Sequence, residues 1–303
     1  MTNTIEYSFK TYINSLNKCY SKDVQDYLPK TNDFSESFIE AFEKKDFEQI
    51  LKFGQNHSNQ YIKSICNRIV GVHYIQMSRR DNSELEVNKT FELIANSITE
   101  IPPISTISSV GSQGFLSIPI FKFEDHIEHF EFIRFHIWSS KLDKYIDPKT
   151  RDMFSIHSHR FHARSWIITG ELVNQDYDID RESKSPNSAL FEIKYNATLN
   201  EVNQHQSTAN NTGKQIEVKE SNKSIFSKSN TYEIKQGDFH KSTQKNGQGT
   251  TATFFSFYLN NEKLGESEVT GPMEIQESKI NRKMYIEPNE FINDIKESIE
   301  AEL

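Results

Sequence analysis

At Glu100-Ile-Pro-Pro103 the chain changes its hydrophobic period, and this break constrains the fold more than any other feature. Before it, apolar residues recur every three or four positions: Phe34, Phe38, Ile39 and Phe42, then Phe47, Ile50 and Leu51. Tyr61, Ile62, Ile65, Ile69, Val70 and Tyr74 continue the spacing, as do Phe91, Leu93, Ile94 and Ile98. Such a stripe predicts amphipathic helices. Consecutive prolines then remove backbone donors and push the preceding residue out of the helical region, so the helical segment ends there. After the prolines, Phe115-Leu-Ser-Ile-Pro-Ile-Phe121 and Phe130-Glu-Phe-Ile-Arg-Phe-His-Ile-Trp138 alternate or cluster as strands do. Further strands are expected at 164–169, 173–179, 189–196, 215–219, 231–236 and 250–259, with Gly, Asn, Ser and Asp between them. The fold class is therefore mainly β with α: an antiparallel sandwich or barrel preceded by helices.

A chain of 303 residues can bury a sizeable core. Hydrophobic residues are only 35%, yet 22 Phe and 12 Tyr are more aromatic content than a disordered chain carries, so the core is expected to be rich in Phe, Ile and Tyr. The formal charge of -8 argues against a broad electrostatic footprint for nucleic acid or anionic lipid. Cys19 and Cys66 are the only cysteines, form no CxxC pair and lie far from the histidine cluster at 157–162, so no disulfide framework or thiolate metal site is indicated. The start MTNTIEYSFK lacks a basic stretch followed by an apolar core, and no run is long enough to span a membrane, so a cytoplasmic protein without membrane contact is expected.

Residues 1–103 thus read as a helical N-terminal region and 104–303 as the β unit. Residues near 197–230, rich in Asn, Gln, Ser, Thr and Lys, read as a polar surface insertion around the short strand at 215–219. Near 288–302 a closing helix opens with Pro288 and carries Phe291, Ile292, Ile295 and Ile299 on one face.

The chemistry lies in Phe154-Ser-Ile-His-Ser-His-Arg-Phe-His162. On an extended strand side chains alternate, so His157 and His159 project together and His162 falls on the other face. Two imidazoles need a third ligand to hold a first-row metal, and a distant segment has to supply it. His240 is the candidate, because it follows a strand that ends in the turn Gly237-Asp-Phe.

This pattern resembles the cupin superfamily over roughly residues 115 to 260. His157-Ser-His159, three residues, Ala163, six residues and Gly170 match the family's first motif, with Ala163 where Glu is usual. Gly237-Asp-Phe-His240 matches the core of the second, with Lys235 where Pro is usual and Gln244 where Asn is frequent. The resemblance implies a cupin-like antiparallel β-barrel or jelly roll holding one divalent metal on His157, His159 and His240. Without the carboxylate, the site is similar to that of cysteine dioxygenase and related thiol dioxygenases. That implies iron(II), with zinc, manganese or nickel as other metals, and a small thiol or amino-acid-like substrate used with dioxygen. Those enzymes carry a Ser-His-Tyr triad after the third ligand. Here Ser256 and Tyr258 stand in the strand with no histidine between them.

Three residues join the metal ligands as catalytic candidates: Arg134, His136 and Tyr258. Arg134 and His136 share one face of their strand and Ile133, Phe135 and Ile137 the other, so they line the interior only if the polar face turns inward. Arg160 and Arg164 lie beside the cluster but off the ligands' face, which suits surface or inter-element pairing over clamping a substrate carboxylate or phosphate, and His162 suits a structural or rim role over a fourth ligand or proton-transfer partner. Trp166, Ile168, Phe254, Phe255 and Phe257 read as core. His126 and His129 read as a solvated turn, and Gly111-Ser-Gln-Gly114 lacks the strand and helix of a phosphate loop. The expected function is a non-haem iron dioxygenase. A metal-dependent isomerase, lyase or hydrolase, and a cupin-like sensor without catalysis, are the competing classes. The helical region would cap the barrel, form a homodimer surface or engage a partner.

Overall fold

The computed structural model describes residues 7–111, 113–125, 129–195, 206–247, 249–259 and 264–302. The chain opens with α1 (Phe9–Asn17), α2 (Glu36–Lys44), α3 (Phe47–Asn56), α4 (Gln60–Asp81) and α5 (Val87–Thr99). The stripe at 34–51 forms two helices. Lys45 takes a left-handed conformation at φ 55°, and Asp46 caps the next helix by accepting from Gln49 N at 3.0 Å. α4 and α5 approach closely at Gly71, where a Cβ would stand 2.7 Å from Ile94 Cδ1.

The strands follow as β1 (Ser109–Val110), β2 (Leu116–Asp125) and β3 (His129–Ser139), then helix α6 (Pro148–Met153), β4 (His162–Thr169), β5 (Leu172–Asp180) and β6 (Ser188–Tyr195). β7 (Gln206–Phe226), β8 (Thr231–Ile234), β9 (Phe239–Gln244), β10 (Thr250–Tyr258), β11 (Glu268–Gly271), β12 (Glu277–Asn281), β13 (Lys283–Met284) and helix α7 (Asn289–Ala301) complete the chain. One antiparallel sheet has the order β13-β1-β2-β3-β10-β4-β8. The other runs β11-β6-β7-β5-β9, with β12 paired to β7.

Two expectations are corrected here. A single closed barrel is not formed: the strands divide into two antiparallel sheets whose inner faces meet where Leu172 of β5 packs with Trp138, Ile167 and Phe255. Residues 206–226, read as a polar insertion apart from 215–219, are one 21-residue strand. Its Asn, Ser and Thr residues are weak strand formers alone, but β6 and β12 flank its first half and β5 its second, and pairing on this scale overrides propensity. Residues 197–205 of that expectation lie outside the described residues, as does His126.

The helices cover the outer face of the larger sheet. Ile13, Ile69 and Phe91 from the helices, Ile133, Phe135, Trp166 and Phe254 from the strands, and Ile295 from α7 belong to one continuous buried cluster. The helical region and the sheet therefore share a core. A carboxylate crosses it: Glu131 of β3, 1% exposed, pairs with Arg79 at 2.5 Å and accepts from Gln76 Nε2 at 2.8 Å and from the Tyr7 hydroxyl. No helix among the described residues is long and apolar enough to cross a membrane.

Candidate metal centre

After α6 the chain runs extended through residues 155–159 and is held on both sides. His157 N donates to His240 O at 3.0 Å and His240 N returns the bond to His157 O at 2.9 Å, an antiparallel bridge to β9. On the other side Ser158 N donates to Glu268 O and Thr270 N to Ile156 O, both at 2.9 Å, which ties the same segment to β11. Directly opposed residues of an antiparallel pair share a face, so this register delivers the third imidazole. The ring centroids are 4.7 Å apart for His157 and His159, 4.5 Å for His157 and His240, and 4.9 Å for His159 and His240. One ligand nitrogen from each ring lies within 4.8 Å of the others.

Two glycines make this arrangement folded by local rules. Gly170, at φ +74°, turns β4 into β5, and a Cβ there would stand 2.6 Å from Thr250 O. Gly237, at φ +83°, turns β8 into β9 and its N–H donates to His159 O at 3.0 Å, so the turn before His240 is fastened to the segment that carries the other two histidines.

The rings are set up as neutral donors. Burial pushes the imidazoles of His157, His159 and His240 below their ordinary pKa, and for His159 the neighbouring His157 and His240 add to the effect. His157 Nδ1 lies 3.0 Å from Ser155 O, so it carries the proton and leaves Nε2 as the lone-pair donor. His240 Nδ1 faces the Asp238 carbonyl without forming a hydrogen bond of normal geometry. Three neutral nitrogens that converge on one point suit a divalent first-row metal.

The face of β3 is decided by the helices. Ile133, Phe135 and Ile137 pack outward beneath them, so Arg134, His136 and Trp138 turn inward. With β10 they build cross-strand rungs: Phe132 opposite Phe257, Arg134 opposite Phe255, His136 opposite Thr253, and Trp138 opposite Thr251. The His159 ring sits 5.0 Å from that of Phe257 and 6.1 Å from that of Phe255, which places the histidines over the first two rungs. Arg134 Nη1 donates to Ser117 Oγ at 3.0 Å, and its guanidinium lies 4.3 Å from the Phe132 ring centroid. His136 is buried, and desolvation holds it neutral well below the usual histidine range.

Tyr258 is not brought to the cluster. It shares the parity of Phe254 and Ser256, on the helix side of β10, where Arg79 lies 4.8 Å from its ring centroid. Tyr258 therefore lies across the sheet from the histidines and does not join them, because strand parity turns it to the helix side. His162 likewise stands apart: its Nδ1 accepts from Gln236 N at 3.3 Å. Arg160 Nε donates to Gly265 O at 2.6 Å and Arg164 reaches Glu233 at 3.6 Å, both pairing between elements. Ala163 is fully buried in the inner apolar cluster, so a carboxylate at that position would be desolvated beside Phe255 and Ile234.

No protein-family description matches this chain, and no curated protein matches it. Among solved structures, hydroquinone 1,2-dioxygenase from Sphingomonas sp. TTNP3 with 4-hydroxybenzoate bound overlaps 47% of this chain and 70% of its own, at 8% identity and a TM-score of 0.23. CapF with the inhibitor 3-isopropenyl-tropolone overlaps 65% of this chain and 44% of its own, at 12% identity and a TM-score of 0.26. Hydroxypropylphosphonic acid epoxidase from S. wedmorenis overlaps 82% of this chain and 99% of its own, at 7% identity and a TM-score of 0.27.

Sequence reasoning missed the polar chain that runs from the neighbourhood of His240. Asp176 of β5 stands directly opposite His240. Its Oδ1 accepts from Asn174 Nδ2 at 2.8 Å, and Asn174 Oδ1 accepts from Ser242 Oγ at 2.9 Å. The signal in the sequence is the alternation Asn174-Gln-Asp176 within the strand expected at 173–179.

Proposed function

We propose that this protein is a cupin-like mononuclear non-haem iron(II) oxygenase that acts on a small organic substrate together with dioxygen. The observation that carries the reading is the convergence of His157, His159 and His240, all held neutral by burial, with no carboxylate among them. These three side chains would hold the metal. When bound, iron(II) supplies the electrons and the open coordination positions that dioxygen chemistry needs. The chain's own contribution is geometric and electrostatic. The bridge between His157 and His240 fixes two ligands on one backbone pairing, and the Phe255 and Phe257 rings exclude water from one side. Arg134, on the rung that meets His159 through Phe255, brings positive charge to orient an anionic substrate group. His136 sits one rung further as a neutral hydrogen-bonding group. A cytoplasmic protein whose partners are a small-molecule substrate and dioxygen, with no nucleic acid or membrane among them, completes the proposal.

The same donor set suits zinc as a Lewis acid in a non-redox enzyme. Anaerobic purification with elemental analysis of wild type and His240→Ala, followed by oxygen consumption with candidate substrates, separates the readings. About one iron per wild-type chain, and less than a tenth of that in the variant, is expected. Equal metal content in both proteins removes the site from consideration, and stoichiometric zinc without oxygen uptake selects the non-redox reading.

A further inference from the structure

Beyond the rung of Arg134 and Phe255, the inner face of the larger sheet changes character. His136 Nε2, Thr253 Oγ1 and Trp138 Nε1 are buried and have no hydrogen-bond partner among the described residues. The other tryptophan shows what a buried indole ordinarily does: Trp166 Nε1 donates to Ser78 Oγ at 3.0 Å. Buried polar atoms are nearly always paired, and each one left alone carries its full desolvation penalty. Three on adjacent rungs of two neighbouring strands are a locus, not a scatter.

The locus has a defined place and shape. His136 stands opposite Thr253, and Trp138 is the next inward residue along β3. With a strand rise of about 3.4 Å per residue, the His136 rung lies roughly 7 Å beyond the Arg134 rung, to which the histidine triad is joined through Phe255. Its walls are flat. The Phe115 ring lies 4.3 Å from His136 and 4.9 Å from Trp138, and Phe255 lies 5.2 Å from His136 on the side of the triad. An indole N–H can only donate, a threonine hydroxyl can donate or accept, and a neutral imidazole does either according to its tautomer. The complement of that set is an uncharged oxygen carried on a planar ring.

We propose that Trp138, Thr253 and His136 form a distal oxygen subsite, which takes a phenolic or carbonyl oxygen on an aromatic substrate whose other end reaches the histidine triad. This deepens the proposed function, and only the second half of the statement rests on that reading. The subsite itself stands on β3 and β10. It selects a ring-bearing substrate over a small aliphatic thiol. A trapped water would satisfy the same atoms, and the test separates the two.

The full-length protein, metal-free and iron-loaded, is titrated with phenol and with toluene, which keeps the ring and lacks the oxygen. Phenol is expected to bind about tenfold more tightly than toluene in both forms, the value of one neutral hydrogen bond. Trp138→Phe and Thr253→Val are each expected to shrink that preference, and the double variant to bring it within about twofold, with iron content unchanged. Trp138→Phe keeps an aromatic ring in the core, so it carries the test alone if Thr253→Val does not fold. Equal affinity for the two probes, no phenol binding, or a preference that survives these substitutions assigns the three atoms to water and overturns the subsite. A wild type that takes up no iron yet still prefers phenol keeps the subsite and defeats the metal reading instead.

Discussion

The two faces of β3 are buried to similar extents and treat their polar groups in opposite ways. On the outer face, Glu131 lies among Ile133, Phe135 and the helices, and its carboxylate is met by Arg79, Gln76 and Tyr7. On the inner face, His136 and Trp138 are equally hidden, but His136 Nε2 and Trp138 Nε1 find nothing among the described residues. A satisfied buried charge is architecture, because its partners already repay its desolvation. Unsatisfied groups on the face shared with a convergent histidine cluster mark where something else is to bind. Burial alone would have ranked the two faces together; what separates them is that Glu131 Oε1 is ion-paired with Arg79 and Oε2 accepts two hydrogen bonds, while the inner-face atoms have neither among the described residues.

The largest expected effect falls on the outer face. Glu131→Gln leaves Arg79, whose side chain is 19% exposed, without its counter-ion inside the shared core, and is expected to cost about 3 kcal/mol in denaturant unfolding. A cost below about 1 kcal/mol would show that the network is not structural. An intermediate effect comes from acid. His73, packed on the helix side against Tyr12 and Phe42, has its pKa pushed down to about 4, chiefly by burial. The unfolded chain takes up that proton near the ordinary histidine value of about 6.5. The contribution of His73 to stability is therefore present above pH 6.5 and declines as pH falls from there towards 4, by about 2 kcal/mol once solvent screening at this half-buried ring is allowed for. His73→Phe is expected to show a smaller loss between pH 7 and pH 4.5 in urea titrations. An unchanged slope would locate the acid sensitivity elsewhere. The smallest effect belongs to the inner face. Trp138→Phe removes an indole N–H that nothing among the described residues satisfies, and is expected to change stability by less than about 1 kcal/mol, in either direction. A loss of several kcal/mol would mean that Trp138 is bonded as firmly as Glu131 and would erase the contrast between the faces.

Much of this was legible in advance wherever one local rule was enough. The helical period before Pro102 and the alternation after it survive in the structure, because a one-sided apolar stripe has to be buried whatever it packs on. His157 and His159 share a face through strand alternation alone, and Gly170 and Gly237 hold positive φ values that favour glycine. Where two local cues competed, the reading failed. Residues 206–226 read as polar and loop-like because their side chains are weak strand formers, while the neighbours that stabilise them lie far away in sequence. The phenol of Tyr258 suits a catalytic role, but strand parity sets it on the helix side.

By itself, then, the sequence determined the kinds of element, the break between them and two of the three histidines, since each depends on residues within one or two turns of backbone. The tertiary structure decided everything that depends on a partner: the pairing that brings His240 across from His157, the division into two sheets in place of one closed barrel, and the turning of Arg134, His136 and Trp138 inward. The reason is the same in each case. Alternation divides a strand into two faces, but only the layer of helices that claims one of them says which face is left for chemistry.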